Sequence, residues 1–343
     1  MATVHLLSQY IWPDAAPTGI YAEQLAARLT SEGCDVILVG GRGGYRAQHR
    51  SQPVERLIHL DHYQGRRGNL AQTFAEYASV ARALRTYIER FVRQGDLVIV
   101  TSAPPNTVSL ARAIRRRGAR SIYWLQDYYP ELVRGLREYP APLRKIFRRH
   151  WDGRLARWDR VVKIGANLGG PAQNSVVIRN WPTLDFDRSI APEPRTAIYS
   201  GNLGFGHDIP LLIAGCEQLR AAGYRVTIRS DGRGAAHLPA WLKSAPLESD
   251  PEQLRADLLR HEVHIVAANP KITQAIFPSK IWNSLGANRE IFCTGFAGEM
   301  LGELEAAKRA RFAEHIEQWV QLVLSLGDFR VEESVPEREF ACA

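Results

Sequence analysis

Two side chains at a helix mouth carry the plainest chemistry in this chain. In "AIFPSKIWNSLGANREIFCTG", residues 275–295, Ser279 and Lys280 stand where a loop becomes an apolar amphipathic run. A hydroxyl, a cation and the positive end of a helix dipole together make a seat for an anion. The dipole alone disfavours a lysine there, so an anion that offsets the repulsion would explain it; a solvated surface lysine is the plainer alternative. Pro17-Thr18-Gly19 forms a second such mouth. Its free backbone N–H groups favour an anion, unless Thr18 is simply an N-cap and Gly19 eases a tight turn. "YSGNLGFGHD", residues 199–208, offers Gly201, Gly204 and Gly206 for close backbone approach, with Asn202 and His207 as donors to a ligand. It is no GxGxxG fingerprint, and Asp231 follows too late to be the ribose acid of a nicotinamide site. "IRSDGRG" adds Arg233, either a phosphate partner or part of an ordinary turn.

These residues need elements to hold them. The first half alternates β-branched runs ("TVHLLSQ", "CDVILVG", "ERLIHLDH", "DLVIVTS", "SIYWLQ", "DRVVKIG", "NSVVIRN") with helical patterns at Gly19–Ser31, Leu70–Val92, from Asn106, and at Pro142–Trp158. The second half repeats the theme with "RTAIYSG", "YRVTIRS", "EVHIVAA" and "EIFCTG". Its helices are expected at Asp208–Ala222, at Pro251–Arg260, after Lys280, and as one long terminal helix over Leu301–Leu324. Strands separated by such helices predict parallel doubly wound sheets, an α/β fold. The expected division is a first domain over 1–185, a link over 186–194, a second domain over 195–327 and an irregular tail over 328–343. Ligands of such sheets bind beyond the strand carboxyl ends, here in the cleft between the two domains.

At 343 residues, with 45% hydrophobic and 23% charged residues, the chain has the composition of a globular protein. No apolar run reaches the roughly 20 residues of a membrane span, and the opening "ATVHLLSQ" lacks a basic leader followed by a long apolar core. A cytoplasmic protein, soluble or peripheral, is expected. Cys34, Cys216, Cys293 and Cys342 show no metal or redox spacing and read as free thiols. The net charge of +8 concentrates in two arginine clusters, around Arg112–Arg120 and Arg144–Arg160. They suit phosphate, anionic lipid or nucleic acid alike. Nucleic acid is the weakest of these, for the runs lack interleaved aromatics.

Six segments in order carry a resemblance: "SQYIWPDAAPTGIYAEQLAARLTSEGCDVILVGG", "TSAPP", "IYWLQDYYPE", "VVIRNWP", "YSGNLGFGHDIPLL" and "FPSKIWNSLGA". Over roughly residues 3–295 the chain resembles GT-B glycosyltransferases of family four, most of all a bacterial branch with a Pro-Ser-Lys loop. The resemblance implies two Rossmann-like domains, a nucleotide-sugar donor such as a UDP-sugar held mainly by the second, and a hydroxyl acceptor held mainly by the first. It implies retention of configuration, with no metal and no cofactor beyond the donor substrate. By position, Gly19 would meet the diphosphate, Asn202 through His207 would underlie diphosphate and sugar, Ser279 and Lys280 would hold the phosphates, and Asp127 would sit near sugar and acceptor.

Two departures stand out. The family carries two glutamates eight positions apart around this helix, the second commonly on the ribose; their places here are Ala275 and Asn283. Asn283 can still accept a hydrogen bond but brings no charge. Asp127 is the candidate to orient the acceptor hydroxyl or assist as base, with an N-cap of "YPELVRGL" as its bland alternative. "DFD" at Asp185–Asp187 lies in the link and makes a poor metal cage. The helix Pro142–Trp158 has Leu143, Ile146, Phe147, Trp151 and Leu155 beside arginines. It fits a peripheral membrane patch for a lipid-linked acceptor, or a surface helix with its apolar side in the core. The rival readings are a nucleotide-sugar epimerase and a degenerate GT-B binding subunit that assists a partner.

Overall fold

The computed structural model describes residues 2–41, 52, 54–65, 69–136, 140–171, 173–248 and 250–330. The first half forms β1 (Val4–Ser8), α1 (Pro17–Ser31), β2 (Val36–Gly41), β3 (Leu57–Leu60), α2 (Leu70–Phe91), β4 (Leu97–Thr101), α3 (Ala111–Arg116), β5 (Arg120–Leu125), α4 (Tyr129–Leu136), α5 (Ala141–Leu155), β6 (Arg160–Lys163) and β7 (Ser175–Val177). All pairings are parallel, in the order β3-β2-β1-β4-β5-β6-β7. The central strands β1, β2 and β4 are buried at every residue, as parallel strands with helices on both faces must be.

The second half adds β8 (Glu193–Ser200), α6 (Ile209–Ala221), β9 (Arg225–Arg229), β10 (Ser244–Ala245), α7 (Pro251–Arg260), β11 (His261–Ala267), α8 (Lys280–Gly286) and β12 (Glu290–Thr294). Its sheet is again parallel, β10-β9-β8-β11-β12. Chain order reverses between β1 and β4 in one sheet and between β8 and β11 in the other. Such switch points open crevices at the strand carboxyl ends.

The C-terminal end departs from the expected single helix. It forms α9 (Glu299–Lys308) and α10 (Phe312–Ser325), which return to the first sheet. Trp319 of α10 packs against Trp124 of β5 with ring centroids 4.5 Å apart, and Arg28 of α1 pairs with Glu317 at 2.6 Å. Phe329 is fully buried, its carbonyl accepting from Asp35 N–H at 2.9 Å. Neither glycine nor proline marks the break at Ala310–Arg311; packing of both halves on the same core imposes it.

Cys34 and Cys216 are buried free thiols and Cys293 is half-buried. Cys342 lies outside the described residues. No described helix is long and apolar enough to cross a membrane.

Candidate active site

The carboxyl ends of the two sheets enclose a cavity of about 350 Å³. Ala15, Pro17, Ile20 and Tyr21 wall it from the start of α1, and Ser200, Gly201 and Asn202 from the end of β8. Ser279, Lys280, Asn283 and Ser284 wall it from α8. A pocket of this size between two α/β units is a usual ligand site.

Lys280 is the chemical centre of this cavity. It starts α8, half-buried, its Nζ 4.9 Å from the centroid of the Tyr199 ring. Among the described residues no carboxylate pairs with it. Burial lowers its ammonium pKa to about 8, because the charged form loses solvation. Ser279 takes the N-cap position with helical backbone angles and no capping bond, so its hydroxyl is left for the cavity. The hydroxyl and the cation thus stand side by side on the cavity wall.

The glycine loop after β8 also makes room for a neighbouring side chain. Gly201 has φ +144°, and a Cβ there would collide with Cε of Lys280. Its bare backbone makes room for the lysine. His207 is held inside the loop: its Nδ1 lies 3.1 Å from the Gly204 nitrogen and 3.3 Å from the Gly204 carbonyl oxygen, and its Nε2 lies 3.0 Å from the Tyr199 hydroxyl. That hydroxyl donates onward to the Asn202 carbonyl at 3.3 Å. Burial first, and the nearby Lys280 charge second, lower the imidazole to about 3. Both ring nitrogens of His207, expected as a donor to a ligand, thus have partners within the protein. Gly204 is exposed with open space beside it, and Arg233 is exposed and stands outside the cavity wall.

Asn283 lines the cavity, but its side chain is engaged across the cleft. Its Oδ1 accepts from Thr183 N–H at 2.8 Å, and its Nδ2 donates to the Thr183 hydroxyl at 3.1 Å. Ala275 is fully buried with Leu132 and Ile272, and its carbonyl accepts from Tyr128 N–H at 2.7 Å. A carboxylate at that position would be buried in apolar surroundings.

From the first half, α1 begins at Pro17 with Ala16, not Thr18, at the N-cap. Thr18 donates its hydroxyl proton to Gln126 Oε1 at 3.1 Å. Gly19 is buried in the first turn, where a Cβ would meet the Tyr10 carbonyl at 2.5 Å. Close packing on the Tyr10–Ile11 loop accounts for this glycine. Asp127 follows β5, its N–H donating to Ser102 Oγ at 3.1 Å. Its carboxylate makes no hydrogen bond to a described residue, and within α4 the Glu131 and Leu132 N–H groups donate to the Tyr128 carbonyl. Burial pushes its pKa up to about 6. Its charge helps raise the phenol pKa values of Tyr77, Tyr123 and Tyr129. Asp127 is not part of the cavity wall.

Of the sequence candidates, Asn202, Ser279, Lys280 and Asn283 come together on one cavity. Gly19, Gly204, His207, Arg233 and Asp127 lie outside its wall. Sequence reasoning missed Thr183, Glu248 and His264, which also line it. His264 donates from Nε2 to the Leu258 carbonyl at 2.8 Å and accepts on Nδ1 from Ser284 at 2.9 Å; burial lowers it to about 4, so it is neutral. No motif announces these three, because each arrives from a separate element. Asp187 bonds locally to Ser189 N–H and hydroxyl at 2.9 and 2.6 Å. Among the described residues no group of three or more His, Cys, Asp or Glu side chains is placed to hold a metal ion.

No family model and no curated protein matches the chain. Its backbone is nonetheless similar to solved structures over nearly its full length. A glycosyltransferase from Rickettsia africae shares 11% identity at TM-score 0.52, with 96% of this chain and 94% of that one covered. The pneumococcal O-GlcNAc transferase, solved with UDP and GlcNAc, shares 9% at TM-score 0.55 over 95% of this chain and 99% of its own. A UDP-forming α,α-trehalose-phosphate synthase from Burkholderia xenovorans, solved with glucose-6-phosphate, shares 12% at TM-score 0.56 over 94% and 96%. At these identities the likeness is one of fold, and the fold is GT-B.

Proposed function

We propose that this protein is a glycosyltransferase that moves a sugar from a nucleoside-diphosphate sugar to a hydroxyl acceptor. The observation that carries the reading is Lys280, a cation without a carboxylate partner among the described residues, beside the non-capping Ser279 hydroxyl in the cavity between two parallel sheets. An arriving diphosphate would supply the missing counter-charge. The GT-B fold supports it further, since the solved structures of similar fold include sugar transferases, one of them carrying UDP.

In this reading the bond between the anomeric carbon and the β-phosphate oxygen breaks, and its electrons leave on the phosphate. Lys280 and the Ser279 hydroxyl stabilise that charge, preorganised and half-desolvated, as electrostatic catalysis requires. The acceptor hydroxyl oxygen attacks the same face of the sugar, and its proton passes to the departing phosphate. Configuration is retained and no divalent ion takes part. Asp127 orients the hydroxyl from among its tyrosines, and the acceptor class includes sugars presented on a lipid carrier.

A thermal-shift series with UDP and other nucleoside diphosphates, without magnesium, tests the donor site. Binding to the folded state alone raises the melting temperature as ligand concentration exceeds Kd. Wild type should be stabilised and Lys280→Ala should not be. An equal shift in both would remove Lys280 from the phosphate site. Release of free sugar from a donor then separates a transferase from a mere nucleotide-binding subunit.

A further inference from the structure

The first three turns of α5 stand clear of the body. Every residue from Pro140 to His150 is exposed, while Trp151 and Leu155 are buried. The exposed part includes Leu143 at 55%, Ile146 at 64% and Phe147 at 37% exposure. These three occupy positions i, i+3 and i+4 and so form one stripe. At about 100° per residue, the stripe lies roughly a quarter turn from the face that buries Trp151 and Leu155. The helix therefore has two apolar faces, one packed inward and one facing solvent.

Arg144 borders the stripe on one side and Arg149 on the other, Lys145 and Arg148 lie toward the back of the helix, and no acidic residue occurs between Pro140 and Trp151. Arg148 lies 4.0 Å from Glu131 and 3.8 Å from Asp152, but Arg144, Lys145 and Arg149 form no ion pair with a described residue. An exposed apolar stripe between free cations is complementary to a surface that is apolar beneath and anionic above.

Its position adds a second reason. Asp152 accepts from the Tyr128 hydroxyl at 2.8 Å, and Tyr128 is the third residue after β5 ends. The helix preceding Asp152 thus extends from the carboxyl edge of the first sheet, the edge that also carries Asp127. Leu70 and Phe74, at i and i+4 in the opening of α2, are 76% and 68% exposed and follow the carboxyl end of β3 at that same edge. Both helices thus start from the carboxyl edge of the first sheet.

We infer that the protruding half of α5 docks this protein on an anionic phospholipid surface, with Leu143, Ile146 and Phe147 entering the interface, Arg144 and Arg149 meeting the headgroups, and Lys145 adding to the positive field. The inference stands apart from the sugar-transfer reading, since neither Lys280 nor the cavity enters it.

Sedimentation of the full chain with vesicles tests it. Wild type should bind vesicles of phosphatidylglycerol and phosphatidylcholine at least about tenfold more tightly than pure phosphatidylcholine, and lose most of that binding in 0.5 M salt, about where exposed charges are screened within a few ångströms. The variants Leu143→Ser/Ile146→Ser/Phe147→Ser and Arg144→Glu/Lys145→Glu/Arg149→Glu should each weaken binding by roughly tenfold or more. Phe147 also meets the Trp151 ring with centroids 6.0 Å apart, so the serine variant should melt slightly below wild type and the glutamate variant like it, both folded and with the same response to UDP. Failure of wild type to sediment, whatever else it binds, overturns the inference. So does unchanged sedimentation of the serine variant, which would reduce the contact to non-inserting charge attraction. Absence of a UDP response in wild type would leave it intact and count against the transferase alone.

Discussion

Gly201 is vacant so that Lys280 can be where it is. The glycine ends β8, the lysine begins α8, and any Cβ on the former would occupy the space of the latter's Cε. Gly201→Ala should therefore displace the ammonium and also strain a backbone held at φ +144°. A cost of about 1–3 kcal/mol in stability is expected, with donor binding weakened at least tenfold. Gly204→Ala, which meets only open space, is the control and should melt like wild type. Parallel thermal melts with and without UDP read both effects.

Lys280→Met should separate stability from function. Burial lowers the lysine from 10.5 to about 8, so between those pH values the unfolded chain binds a proton that the folded one does not. Wild type accordingly gains stability as pH rises from about 8 to 10.5, whereas below 8 it carries the full burden of an unpaired, partly desolvated charge. The methionine variant removes that burden. Near pH 7 it should melt at or above the wild-type temperature yet fail to bind a nucleoside diphosphate. Melts of both proteins across pH 7–10.5 should converge toward the alkaline end.

Asp127 predicts an acid limb. Its carboxyl is raised from 3.8 to about 6, so the folded protein holds a proton that the unfolded chain has released, and stability falls as pH rises across that interval. If the ionised carboxylate orients the acceptor hydroxyl, kcat/KM should rise with pH through about 6 and level off above it. Asp127→Asn should lower turnover and abolish the limb, with donor binding unchanged. A surviving limb would assign the titration elsewhere.

Asn283 is expected to matter more for holding the halves together than for the donor. Asn283→Ala leaves Thr183 N–H without its partner, at a cost of about 1 kcal/mol. Apparent affinity for UDP should change less than about threefold, well below the effect of a lost charge-assisted contact. A loss of tenfold or more, measured by calorimetry, would return Asn283 to the ribose.

The alternation of apolar runs and helical patterns suffices for two parallel doubly wound sheets, because burial on both strand faces writes itself into local composition. Ser279 and Lys280 were legible for a similar reason: proline, hydroxyl and cation at a helix start are adjacent in the chain, and their chemistry is local. Thr18 misled, since nothing local distinguishes an N-cap from a hydroxyl that reaches Gln126, 108 residues away. Only tertiary structure decided that Gly201 yields to Lys280, that His207 is consumed by Tyr199 and Gly204, and that Asn283 faces Thr183. It also broke the terminal helix so that Trp319 could reach Trp124, and left Leu143, Ile146 and Phe147 outside while burying Trp151. Periodicity reports which residues share a face; whether another element covers that face depends on partners far away in sequence.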